Sequence, residues 1–223
     1  MSEPIEPFDF TACISILKAT GKKARNLRAL RDMMGEVSES CVFHHTYQYF
    51  LKGHSLEYTN DFAQWAGESL EERGLAEHLS NIDPYCFAGI GELRQGLIDV
   101  IDNYLAHYPE TREAMAGDEF YFNETLTLVF PVGVRAKNLA EFLAAIKYVD
   151  PASIYYHFFE SRVRLGAGAD DFSRWIKESL GKEDLAKEIR SIDAFMHSLE
   201  EIRNYLAEAV EKFVRKEMEV IIR

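Results

Sequence analysis

The sequence predicts a mostly α-helical protein with a small two-stranded β element: an α+β chain made by tandem duplication of a strand-plus-helices unit, with pseudo-two-fold symmetry. Three observations lead there. The first is a stretch written twice. Asn60–Asp83 (NDFAQWAGESLEERGLAEHLSNID) and Asp170–Asp193 (DDFSRWIKESLGKEDLAKEIRSID) share 10 of 24 aligned residues, among them Asp61/Asp171, Phe62/Phe172, Trp65/Trp175 and Asp83/Asp193. Such a repeat bears on the architecture before any single element does. The second is its upstream extension. Phe8–Phe50 aligns without a gap with Phe120–Arg162 at a shift of 112, keeping Phe8/Phe120, Gly21/Gly133, Asn26/Asn138 and His45/His157. The third is that each copy holds one β-branched, alternating stretch, whereas the rest has helical spacing.

In chain order, Thr11–Ala19 (TACISILKA) and Glu124–Val132 (ETLTLVFPV) read as the strands, ended by Gly21 and Gly133. A lone strand leaves its backbone groups without ladder partners, so the two are expected to pair with each other, antiparallel. Leu27, Leu30, Met34 and Val37 then repeat at helical spacing, as do Leu139, Phe142, Ile146 and Val149. Ser38 and Asp150-Pro151 cap the next helix, which carries His45 or His157. Asn60 and Asp170 cap the Asp-Phe-x-x-Trp helix. A short helix through Leu75–Leu79 or Leu185–Ile189 follows, then a long one over Tyr85–Leu105 or Phe195 to about Val220. The organisation read from this is unit one at 8–106, a linker at 107–119 with a helical turn from Pro109, and unit two at 120–223, the two packed as one globular body.

Composition narrows the function classes. The formal net charge of −12 argues against nucleic acid and an anionic membrane as main partners, since both reward clustered Lys and Arg. No apolar run reaches membrane-spanning length, and MSEPIEPFDF lacks the apolar region of a secretory signal. Cys13, Cys41 and Cys86 have no CxxC spacing and no counterpart in the other copy, which reads as reduced thiols in a cytoplasmic protein.

His45 and His157 are the histidines that both copies keep. Each is either an imidazole hydrogen-bonded between packed helices or a ligand-binding group. Asp61 and Asp171 follow at the start of the next helix and are the carboxylates placed to pair with them. At a helix start a carboxylate also serves as a cap; paired carboxylates for acid–base chemistry are the sharper reading. Trp65 and Trp175 are core aromatics or a stacking platform. Lys22, Lys23 and Arg25, beside Gly21, form a candidate anion site at a glycine turn feeding a helix, without the P-loop frame. No His-x-x-x-His or Glu-x-x-His pair accompanies His45 or His157, so no metal and no cofactor are expected. No catalytic triad order or nucleophile elbow is present, and no catalytic residue is assigned.

The run His45…Asn60-Asp61-Phe62…Trp65…Leu75-Ala76…Ile82-Asp83-Pro84 resembles a bacterial family of uncharacterised short proteins, classed as a domain of unknown function. The resemblance covers most of the chain and implies a soluble cytoplasmic protein. The function expected is a binding or interaction module with a protein or small-molecule partner, with a small-molecule site between its halves. Two alternatives stand beside it. One is an enzyme acting on a sugar or phosphorylated small molecule. The other is a homo-oligomeric assembly protein, pairing through a final helix that ends in Met218, Val220, Ile221 and Ile222.

Overall fold

The computed structural model describes residues 6–48, 57–162, 169–193 and 197–222, with the side chains of residues 217 and 219–222 excepted. Two strands, β1 (Phe8–Ala24) and β2 (Phe120–Ala136), form one antiparallel two-stranded sheet, as the sequence predicts. Each is 17 residues long, well beyond the expected Thr11–Ala19 and Glu124–Val132. The glycines do not end them: Gly21 and Gly133 sit inside the strands at φ +78° and +74°. A residue without Cβ lets the strand continue through a left-handed position.

The register follows from the side chains that meet across the ribbon. Arg135 pairs with Asp9, Lys18 with Glu124 at 2.7 Å, and Thr20 Oγ1 donates to the Phe122 carbonyl at 2.6 Å. The start of each strand therefore lies beside the end of the other. This decides how the chain divides. One compact unit is Ser15–Leu126; the other is Met1–Ile14 together with Thr127–Arg223. The segments 8–106, 107–119 and 120–223 read from the repeat divide the chain elsewhere, because each strand gives one half to each unit. Below, the two are called the Trp65 unit and the Trp175 unit.

The Trp65 unit holds α1 (Leu27–Glu36), α2 (Glu39–His45), α3 (Asp61–Glu68), α4 (Arg73–Ser80) and α5 (Ile90–His107). The Trp175 unit holds α6 (Leu139–Tyr148), α7 (Pro151–Ile154, continued by a π-helical turn Tyr155–Glu160), α8 (Asp171–Glu178), α9 (Glu183–Arg190) and α10 (Leu199–Ile222). Stretches matched in the sequence fall on elements of the same kind: α3 and α8 have eight residues each, as do α4 and α9. The predicted caps Ser38, Asn60, Asp150 and Asp170 accept main-chain N–H groups of the first turn, and Asn26 and Asn138 do the same at α1 and α6.

Further expectations change, and the long helix of the Trp175 unit begins at Leu199. The long helix of the Trp65 unit begins at Ile90, not Tyr85; Pro84–Cys86 is a separate 3-10 turn, and extended Gly89 precedes the helix. The segment 107–119 forms no helical turn at Pro109 but lies along the end of β1. Ala114 N donates to the Arg25 carbonyl at 2.7 Å, and Glu113 bridges to Asn26. Pairing of Val220, Ile221 and Ile222 with another chain concerns side chains outside the described residues.

Candidate functional site

Each unit builds one constellation around its histidine, and the two match atom for atom. In the Trp65 unit, His45 is buried at the end of α2. Its Nδ1 lies 2.6 Å from Asp61 Oδ2 at the start of α3, and its Nε2 accepts the Asn123 N–H of β2 at 3.0 Å. In the Trp175 unit, His157 Nδ1 lies 2.9 Å from Asp171 Oδ2, and Nε2 accepts the Thr11 N–H of β1 at 2.8 Å. A ring nitrogen that accepts a main-chain N–H carries no proton, so Nδ1 holds the proton and donates it to the carboxylate. The imidazoles are neutral and of one tautomer. Each ties a strand to two helices.

The tryptophans repeat the theme. Trp65 Nε1 donates to the Asp118 carbonyl at 2.7 Å and Trp175 Nε1 to the Glu6 carbonyl at 2.8 Å, both two residues before a strand begins. Both side chains are buried at 7% exposure, so neither offers a free stacking face. The first phenylalanine of each strand fits between them. Phe120 lies 4.8 Å from the His45 ring, 5.1 Å from Phe62 and 5.7 Å from Trp65. Phe8 lies 4.8 Å from His157, 5.4 Å from Phe172 and 5.6 Å from Trp175. The structure thus brings His45, Asp61 and Trp65 together in one unit and His157, Asp171 and Trp175 together in the other. The strand partners Asn123 and Thr11, and the carbonyls of Asp118 and Glu6, are the members that sequence spacing missed. The shift of 112 between Glu6 and Asp118, and between Thr11 and Asn123, is the signal that could have found them.

The two constellations differ behind the histidine. Thr125 Oγ1 lies 2.9 Å from His44 Nδ1 and donates to Gln48 Oε1 at 2.6 Å. The equivalent pair is Cys13, whose thiol donates to Glu160 Oε2 at 3.4 Å. Burial, and then the Glu160 carboxylate, push the Cys13 thiol up to about 12, and burial first pushes Cys41 to about 12 as well. Neither is a thiolate nucleophile at neutral pH. His44, His45 and Asp61 bring one ligand atom each within 4.8 Å of one another. The donor set does not fit a metal: coordination at His45 Nδ1 would strip the proton from a ring whose Nε2 already accepts an amide, leaving an imidazolate. The lone pair a general base would use is occupied in the same way.

The basic residues beside Gly21 are engaged in part. Lys22 pairs with Glu36 at 2.9 Å and Lys23 with Glu119 at 3.3 Å, while Arg25 is exposed. Glu119 also accepts the Gly117 N–H; main-chain donors first, then Lys23, lower its carboxyl to about 2. Two carboxylates thus compete with any anion there.

An open hollow of about 460 Å³ in the Trp175 unit is lined by Glu188, Asp193, His197, Tyr205, Glu208 and Lys212, among others. Glu188 pairs with Lys212 at 3.2 Å, and the His197 ring meets Tyr205 at 4.7 Å. Of the residues shared by the two copies, Ile192 and Asp193 line it.

No described helix is long and apolar enough to cross a membrane. The structure of OrfY from Thermoproteus tenax is similar along nearly its full length: 33% identity over 95% of this chain and 97% of that one, with a TM-score of 0.81. No curated protein matches. A family of unknown function, DUF5752, matches residues 5–211, which take in both strands and both histidine constellations. The chain belongs to that family.

Proposed function

We propose that the protein is an interaction module that binds through large apolar side chains its units expose on β1 and β2. The duplicated histidines, aspartates and tryptophans serve in this reading as clamps that hold each strand half in its unit. Their reactive atoms are already engaged with main chain or with each other. The observation that carries the proposal is the exposure of large apolar side chains along the ribbon: Ile14, Ile16 and Leu17 (60%) on β1, and Leu126, Leu128 (56%), Val129 and Phe130 on β2. Exposed apolar side chains scattered singly are ordinary; several in succession on one strand pair mark an interaction surface. In the Trp175 unit, alternation places Ile14, Leu128 and Phe130 on one face and Val129 on the other.

The test is a photo-crosslinking residue placed at Leu128 and, separately, at Tyr148, which is also exposed but lies on α6. In the native host, adducts of defined mass are expected from position 128 and not from 148. No adduct at 128, or the same adducts from both, rejects the proposal.

A further inference from the structure

The Trp65 unit holds an open cavity of about 560 Å³ lined by Glu57, Tyr58, Gly67, Glu68, Glu71 and Arg73. All six lie within Ser15–Leu126, and none belongs to a strand. Tyr58 is only 8% exposed, yet its hydroxyl makes no hydrogen bond among the described residues. Polar groups so deeply placed are nearly always partnered. The hydroxyl lies against Gly67 of α3, where an added Cβ would fall 2.5 Å from it. The ring fits there because residue 67 has no side chain. The other copy builds a helix of the same length without this arrangement: α8 carries Lys177 in place of Gly67, and Gly181 follows it in place of Glu71. Gly181 has φ +65° and Glu71 has φ +55°. A side chain is unfavourable in that left-handed position, so the Trp65 unit keeps a carboxylate on the cavity where glycine would sit relaxed.

We infer that this cavity binds an alkylammonium group. Charge selects a cation, since three carboxylates line the cavity against one guanidinium, Arg73, and Arg112 pairs with only one of the three, Glu71. Glu68 accepts the neutral amide of Gln64 at 3.1 Å, a bond that leaves its charge in place. Among the described residues these carboxylates do not gather into a metal-holding group. An ammonium brings three N–H donors and no acceptor. The Tyr58 oxygen accepts one of them, and the carboxylates of Glu57 and Glu68 accept the others. The other copy carries such a group in its own chain, because Lys177 is an alkylammonium at the place of Gly67. This binding goes beyond the reading of the strands as an interaction surface and does not depend on it.

Titration calorimetry of the full chain near neutral pH tests this with four probes: pentane-1,5-diamine, Nα-acetyl-lysine N-methylamide, pentanol and inorganic phosphate. Saturable binding of an amine with a Kd of about 1 mM or tighter is expected, and no binding of pentanol or phosphate. The tighter amine identifies the source, a free diamine or a lysine side chain of a polypeptide. Tyr58→Phe removes one oxygen and keeps the ring, and is expected to weaken amine binding about tenfold. Glu68→Gln is expected to weaken it by about tenfold or more, because the lost bond is charge-assisted. If Tyr58→Phe does not fold, by circular dichroism, Glu68→Gln decides alone. No amine binding up to about 10 mM, phosphate binding in its place, or an amine affinity that both variants leave unchanged overturns the inference. The crosslinking result at Leu128 is separate, since Leu128 lies outside Ser15–Leu126 and its adducts neither need nor exclude an amine in this cavity.

Discussion

His157 holds three pieces of chain with one ring, and its removal shows what each bond contributes. With leucine in its place the Thr11 N–H loses its acceptor and Asp171 loses the imidazole donor. His157→Leu is expected to cost about 2–3 kcal/mol in urea denaturation, the scale of a buried donor left without a partner. His45→Leu should cost a similar amount. A change below about 0.5 kcal/mol would mean the clamp contributes little. The one polar difference at the next cap is sharper. Asn60 donates Nδ2 to the Leu79 carbonyl at 3.0 Å, whereas Asp170, fully buried at the equivalent place, has Oδ2 without a hydrogen bond and the Arg162 guanidinium 3.6 Å away. Burial raises the Asp170 pKa, with Arg162 acting against it. A carboxyl with a raised folded pKa holds its proton more tightly folded than unfolded, so its contribution to stability falls as pH rises above 3.8. The stability of Asp170→Asn relative to wild type should therefore increase with pH across that window, since the amide does not titrate. A difference flat in pH would show that Asp170 ionises in the fold as it does in the unfolded chain.

Among the elements, the ribbon depends on two glycines for reasons of backbone alone. Nothing lies within 4 Å of a Cβ built on Gly21 or Gly133, yet both have positive φ. Gly21→Ala is expected to cost about 1–2 kcal/mol in chemical denaturation, although the new methyl group meets nothing. Gly67→Ala differs in kind, because its Cβ would fall 2.5 Å from the Tyr58 hydroxyl. The helices were legible in the sequence because their signals are local: a cap such as Asp150 before Pro151, an apolar period such as Leu139, Phe142 and Ile146. The histidine–aspartate pairing was legible too, since its members lie on consecutive helices, 16 and 14 residues apart. What escaped was set by distant chain. The partner of Lys23 is Glu119, 96 residues away. The indole of Trp175 reaches Glu6 across 169 residues.

For the whole molecule, the largest gap between sequence and structure is the placement of Phe8 and Phe10. The repeat groups them with the helices that follow, but antiparallel pairing puts them against Phe142, Phe172 and Trp175. Deleting residues 1–12 should therefore weaken the far half of the chain. Hydrogen exchange is expected to show lost protection in α6 and α8 and retained protection in α3. Loss confined to α1–α5 would contradict this division. The division also gives the chain a schedule during synthesis. Ser15–Leu126 can close once its own residues have left the ribosome. The aromatic residues at the start of β1 cannot be buried until Thr127 and the helices beyond it have been made. At about 5–20 residues per second that is a delay of roughly 5–20 s after the first unit is complete. Phe8 and Phe10 thus emerge well before the residues that bury them, and in that interval they are a part of the nascent chain that a chaperone has reason to hold.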